Sequence, residues 1–451
     1  MNKLANITFG TAKKPVHCGN GISIGNGLVL PEINFTLPPI AVTEKNWPNI
    51  CQEYRKMVQE ICTRASQLQC PGLVVEFELL PPMTLHPEWG AEITSIIKSI
   101  LIDFHNKQGF ASALRVTPVD VRENERPPKM RSGLHVEKTL QSFELCAQAG
   151  ADLLSIESTG GKELHDDALM AGDLAGIIFA LGVLAVRDMQ FLWEKIVAIS
   201  KKYQVIPAGD TACGFANTAM VLADRGLIPK ILATIIRVAS VPRSLQAYIQ
   251  GAQGPSKDCA YEGPYIKALT GVPISMEGKS SACAHLSFLG NIAAACCDLW
   301  SNESVQNVRL LSASAPVVSM EQLIYDCRLM NEAIKDGDEA VKRLQKWFTE
   351  SDAGKDPQAL VLHPEIVTSI SEKFLKYSTP LEMVFYSVEE VLTLLQDAMK
   401  NKEVIIPNPD LRWFDLISAQ LDSLPRSESG LLDILMASSQ ELKFIPEEYG
   451  L

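Results

Sequence analysis

From about residue 28 to about residue 320, short apolar runs alternate with longer stretches of helical periodicity. Leu73–Leu80 (LVVEFELL), Ser112–Val119 (SALRVTPV), Asp152–Glu157, Val205–Ala208, Pro273–Met276 and Val308–Ala313 read as strands. Ala91–Gln108, Val136–Ala149, Asp166–Lys201 and Ala216–Arg225 read as the helices between them. Such alternation predicts a parallel sheet with crossover helices, the α/β class. Leu28–Phe35 supplies a first strand and Ser244–Gly251 (SLQAYIQG) a sixth, although Lys230–Gln250 also reads as one long helix. Eight units, with candidate ligands after several different strands, favour a (β/α)8 barrel over an open sheet.

Beyond about residue 325 the pattern turns helical, as in Glu321–Asp336, Glu339–Ser351, Leu381–Lys400 and Leu411–Leu424, with breaks at Asp356–Pro357, His363–Pro364 and Ile406–Pro409. The expected division is an N-terminal extension (1–27), the barrel (28–325) and a helical C-terminal region (326–451). Gly19–Gly27 (GNGISIGNG) lacks the glycine spacing and preceding strand of a dinucleotide loop, and predicts a hairpin or flap.

Composition narrows the function classes. A formal net charge of −12 over 451 residues argues against a nucleic-acid partner. No run approaches the roughly 20 apolar residues of a membrane span. The opening MNKLANITFGTAKK lacks the apolar core of a signal peptide, so a soluble, cytoplasmic protein is expected. Eleven cysteines, odd in number and spread over a long chain, predict reduced thiols used for packing or for soft metals.

Three segments bring a thiol or carboxylate into a polar loop where a strand ends: Ala151–Gly161 with Glu157, Tyr203–Phe215 with Cys213, and Gly254–Glu262 with Cys259. One carboxylate and two thiolates are enough to hold zinc with one position open, which is a catalytic arrangement. Each residue also has a plainer use, since a lone cysteine is most often a small core hydrophobe. The third ligand has an alternative in Cys283, beside His285 in Gly278–His285. Cys296 and Cys297 lie in the Ala-rich run Asn291–Trp300, where helix packing is the expected role. His135 and His165 are candidate proton carriers, with surface or capping positions as the plainer reading.

The segments Glu157–Lys162 (ESTGGK), Gly209–Phe215 (GDTACGF), Lys257–Pro264 (KDCAYEGP) and Cys297–Ser304 (CDLWSNES) resemble the methanol:corrinoid methyltransferase family, its zinc-containing subunit. The resemblance runs over nearly the whole chain. It implies a TIM barrel, a zinc held by one Glu and two Cys, methanol as substrate, and a corrinoid cofactor supplied by a separate corrinoid-binding protein. Carried onto this sequence, Glu157, Cys213 and Cys259 are the implied ligands, with Cys283 in place of Cys259 as the alternative. Asp210 is the candidate acid for the departing oxygen. A homodimer within a larger hetero-oligomer is expected. The competing functions are a zinc methyltransferase with another donor or a thiol acceptor, and a non-catalytic, zinc-stabilised barrel serving as an assembly subunit.

Overall fold

The structure, a computed structural model, describes residues 4–35, 40–210, 213–257, 261–280, 287–304, 309–310, 313–438 and 442–451. Its nine principal strands are β1 (Thr11–Cys18), β2 (Ile22–Asn26), β3 (Leu30–Phe35), β4 (Leu73–Glu78), β5 (Ser112–Thr117), β6 (Leu153–Ile156), β7 (Ile206–Asp210), β8 (Ser275–Glu277) and β9 (Leu299–Ser304). Seven of them form one parallel sheet in the order β7-β6-β5-β4-β3-β9-β8. The gap between β7 and β8 is bridged by Gln253–Lys257. Gln253 N–H donates to the Pro207 carbonyl at 2.7 Å, and Ser275 N–H to the Ser256 carbonyl at 3.0 Å. Ser256 also pairs in parallel with Ile274. The eighth stave is therefore this short segment, and the barrel expectation holds.

Two strand assignments are corrected. Ser244–Gly251 lies mostly within the helix Val241–Gln250, because its apolar positions follow a 3.6-residue period. The last stave is β9; of Val308–Ala313 only Arg309, Leu310 and Ala313 are described, and they belong to a small antiparallel pair outside the barrel sheet. The Ala-rich run before β9 forms only a 3-10 turn, Ile292–Ala295, not a full helix. Leu174–Tyr203 is a single helical run, with a π-turn at Ala180–Leu184. By length and composition it is apolar enough to cross a membrane, which the sequence reading missed. Inside the fold it is a core helix, 83% buried over its most apolar window.

The staves sort their side chains with period two. Ile33, Phe35, Val75, Phe77, Leu114, Val116, Leu154 and Ile156 pack in the large core shared with the helices. Leu30, Val74, Ala113, Leu153, Ala208 and Leu299 form a separate apolar cluster with Ile22 and Ile24 of β2. The β1–β2 hairpin thus plugs the N-terminal end of the barrel. Each buried isoleucine of that plug contributes about 1.5–3 kcal/mol. Its turn leans on β5, where Asn20 and Ser112 exchange hydrogen bonds of 2.7 and 3.3 Å. A Cβ on Gly19 (φ +54°) would lie 2.4 Å from the Ser112 carbonyl, so only glycine fits.

The helix Ala315–Asp336 follows β9 and packs on β3 and β9, so position 325 falls inside a barrel helix. Later helices, chiefly Pro364–Phe374, Pro380–Lys400, Arg412–Ser423 and Glu428–Ser438, form the C-terminal region. Pro380–Lys400 opens on a capping box between Thr379 and Glu382, and packs against Lys230–Ala239 and the π-turn.

Candidate active site

Above the apolar plug, the barrel interior turns polar. The positions two residues beyond the plug on β3, β5 and β6 are Glu32, Arg115 and Ser155. Arg115 Nε donates to Glu32 Oε1 at 2.7 Å, and its Nη1 donates to Ser155 Oγ and the Pro255 carbonyl, both at 2.8 Å. Ser275 Oγ donates to the other oxygen of Glu32. Burial pushes the Glu32 carboxyl up, against the pull of Arg115. Burial also opposes the Arg115 charge, but Glu32 and Glu76 outweigh it and hold the guanidinium protonated.

The next tier is acidic. Glu76 and Glu78 come from β4, and Glu157 continues the inward face of β6 one residue past the strand. Lys257, at the end of the eighth stave, sits among them. Its Nζ lies 3.7 Å from Glu76 Oε1 and 3.7 Å from Glu157 Oε1, and it pairs with Glu78. Thr117 Oγ1 donates to Glu76 at 2.8 Å and Asn34 Nδ2 to Glu78 at 3.3 Å. Lys257 is 4% exposed and Glu157 38%, so the acid reaches the mouth while the ammonium stays below it. Three carboxylates around one ammonium leave the mouth net negative, a setting that favours a cation.

The loop carrying Glu157 is held along its whole length. Ser158 N–H donates to Asp210 Oδ1 at 3.4 Å, and Ser158 Oγ accepts from Arg243. Thr159 donates from both N–H and Oγ1 to Asp120 Oδ2, each at 3.0 Å. Gly161 N–H donates to the Tyr449 hydroxyl at 2.9 Å. Under Gly160 lies Asp188, which shares Arg122 with Asp120. Arg122 binds Asp120 at 2.8 and 2.7 Å and Asp188 at 2.7 and 2.9 Å. Burial raises the Asp188 carboxyl despite Arg122. At Asp120 burial pushes up as well, but Arg122 and the hydrogen bonds prevail and hold the carboxyl below its ordinary value.

Asp210 ends β7. Its oxygens accept from Trp193 Nε1 at 3.1 Å, Arg243 at 3.3 Å and Ser158 N–H. Burial raises its carboxyl, with Arg243 opposing. Three donors already use Asp210 as an acceptor, which marks it as a brace of the Glu157 loop.

The backbone beyond β7 enters a π-turn, Cys213–Asn217, three residues past Asp210. The Cys213 side chain, Cys259, Cys283 and His285 lie outside the described residues. Cys259 follows Lys257 by two positions, so Glu157, Cys213 and Cys259 each come just after one of three consecutive staves, β6, β7 and Gln253–Lys257. That placement and the donor set, one hard oxygen and two soft sulfurs, suit zinc. Among the described residues, no group of three His, Cys, Asp or Glu forms a metal cluster.

Cys296 and Cys297 are buried in the core, and burial pushes the Cys296 thiol up to about 12 and that of Cys297 well above its ordinary value. Both are inert packing residues. His165 is not a surface residue. It is fully buried, its Nδ1 lies 3.2 Å from Asp166 Oδ1, and its ring meets Phe215 edge-on at 5.0 Å. Burial lowers its pKa, which keeps the imidazole neutral. His135 pairs with Glu125 at 3.4 Å near the surface.

Sequence reasoning missed Glu32, Glu76, Glu78, Arg115 and Lys257 as site residues. For all but Lys257 the signal was present: charges at inward positions of otherwise apolar strands (LPEINF, LVVEFE, SALRVT). In a strand buried on both faces, such charges must point into a polar interior.

A closed eight-stave barrel with its charged residues gathered at the C-terminal mouth defines a (β/α)8 enzyme. The family model of the methanol-cobalamin methyltransferase B subunit, MtaB, matches residues 1–450. The methanol–corrinoid protein co-methyltransferase of Methanosarcina barkeri (strain Fusaro / DSM 804) is 37% identical over 98% of this chain and 96% of that protein. The crystal structure of the methanol:cobalamin methyltransferase complex MtaBC from Methanosarcina barkeri superposes with a TM-score of 0.93, at 34% identity, over all of both chains. This chain belongs to the methanol-cobalamin methyltransferase B subunit family and is a methyltransferase.

Proposed function

We propose that this chain transfers the methyl group of methanol to the reduced cobalt of a corrinoid held by a separate protein, at a zinc ion bound by Glu157, Cys213 and Cys259. The observation that carries the reading is the arrival of these donors after three consecutive staves, around a mouth already rich in carboxylate. The related crystal structure, a complex of two subunits, supports a corrinoid-carrying partner.

Hydroxide is a poor leaving group, so methanol resists substitution until its oxygen is stabilised. When bound, zinc supplies Lewis acidity for that oxygen. The rest falls to the chain. Glu157 stays in place because Asp120, Asp210, Arg243 and Tyr449 hold the loop that follows it. Glu76 and Glu78, with Lys257 between them, keep the barrel interior charged. The plug of Ile22 and Ile24 closes the opposite end, so reactants enter only at the mouth. Asp210 acts by bracing Ser158. The nucleophile comes from the partner's corrinoid, since no side chain here offers a comparable one.

The test combines metal analysis with methanol-dependent methylation of cob(I)alamin on the corrinoid protein. One zinc per chain and methanol-dependent formation of methylcobalamin support the proposal. A metal-free chain with full turnover refutes it.

A further inference from the structure

The residues next to Glu157 are tied to the far end of the chain. Gly161 N–H donates to the Tyr449 hydroxyl at 2.9 Å, across 288 positions of sequence. Gly161 adopts φ +83°, and a Cβ there would lie 2.9 Å from Leu184 Cβ and 3.1 Å from the Ala180 carbonyl. The loop is therefore pressed between the π-turn on one side and the tyrosine on the other. Tyr449 is buried, its ring set edge-on to Phe444 at 6.1 Å, and Phe444 in turn meets Phe179 at 5.8 Å. The tail is fixed independently by its backbone and by the Glu448 side chain. Arg187 donates to the carbonyls of Tyr449 and Gly450 at 3.1 and 2.7 Å, and it pairs with Glu428 at 2.6 Å. Arg131 N–H donates to Glu448 Oε2 at 2.5 Å.

We infer that the tail Pro446–Leu451, through the Tyr449 hydroxyl, is a positioning element for Glu157, so that residues at the far end of the chain set the geometry and affinity of the metal site. The inference rests on Glu157 being a zinc ligand. A ligand one residue past a strand is only as well placed as the loop that follows it, and Tyr449 supplies the last anchor before the helix Lys162–Ala171. Burial pushes the Tyr449 hydroxyl up, so it stays neutral while its oxygen accepts the Gly161 N–H.

The experiment uses the full chain and two variants. Tyr449→Phe keeps the ring and its packing on Phe444 and removes only the hydroxyl. Deletion of Pro446–Leu451 removes the anchor altogether. Zinc affinity by competition with a chelator, the absorption spectrum of the Co(II)-substituted site, and hydrogen exchange at Gly161 N–H are measured beside thermal stability. Groups that hydrogen-bond a metal ligand directly are worth roughly 10–100-fold in affinity, and Tyr449 acts through the loop backbone, so the lower end of that range applies. Tyr449→Phe should weaken zinc about tenfold, shift the Co(II) spectrum and speed Gly161 exchange, and a folded deletion variant should weaken zinc further. Glu157→Gln, measured alongside, separates the two claims. Zinc retained by Glu157→Gln overturns the ligand assignment and the tail's role with it. Zinc lost by Glu157→Gln, but bound with unchanged affinity and spectrum by Tyr449→Phe, overturns the tail's role alone.

Discussion

Gly160→Ala tests whether the Glu157 loop is as tightly seated as its contacts indicate. A Cβ at position 160 would lie 2.3 Å from both Cβ and Cγ of Asp188 and 2.4 Å from its Oδ2. Ordinary carbon contacts need about 3.5–4.0 Å, so something must move by roughly 1 Å or more. Asp188 has no slack, because both its oxygens are held by the fully buried Arg122, at 2.7 and 2.9 Å. Arg122 also grips Asp120, and Asp120 accepts both hydrogen bonds from Thr159. The new methyl group therefore either strains the loop, at about 1–3 kcal/mol, or parts Asp188 from Arg122, at about 3–5 kcal/mol. A loss of about 3 kcal/mol is expected in urea denaturation followed by circular dichroism. Weaker zinc retention should accompany it, because the strain reaches Glu157 three residues away. A loss under about 0.5 kcal/mol with zinc binding unchanged would refute the reasoning.

Three further outcomes follow from the same contacts. Arg115→Met strands Glu32 in the barrel interior and should cost about 3–5 kcal/mol in urea denaturation, more than Glu32→Gln, which leaves a neutral partner. Asp224 is pushed up to about 7 by burial and by Asp356, against Lys230 and Arg237. A carboxyl raised in the folded state supports folding below its unfolded value near 4, and that support is lost as pH rises through about 7. Asp224→Asn should therefore narrow the difference in melting temperature between pH 5.5 and pH 8, by on the order of 2 kcal/mol in stability; an unchanged difference would contradict the assignment. If Asp210 serves only to brace Ser158, Asp210→Asn should keep turnover within about tenfold of the parent while lowering thermal stability; a loss of several orders of magnitude in kcat without unfolding would identify it as the acid.

Much of the architecture was legible because parallel strands buried on both faces give apolar runs set between helix-length periods. The exceptions have local causes. The eighth stave, Gln253–Lys257, is short and polar, bonded to its neighbours through only a few backbone groups, so it carries no strand signature. Ser244–Gly251 was read in its place to complete eight units, although the longer stretch Lys230–Gln250 already read as helix, and Val241 and Pro242 begin a helix just ahead. β9 was hidden by the alanines before it, whose helix propensity yields to the tertiary need for a stave beside β3. At the site, Glu157 stood out as an acid at the mouth of a buried strand, and the structure places it in the carboxylate cluster of that mouth. The loop's supports were not legible. Asp120 and Arg122, Asp188, and Tyr449 come from three separate parts of the sequence, and nothing local marks those parts as neighbours.

The most direct measurement is zinc content and methanol-dependent methylation of corrinoid-bound cob(I)alamin, made on the same preparations of the parent chain, Glu157→Gln, Cys213→Ala and Cys259→Ala. The expected result is one zinc and methylcobalamin formation in the parent. Each variant should lose both while keeping its fold by circular dichroism. Methylcobalamin formation at the parental rate in a folded, zinc-free variant would contradict it.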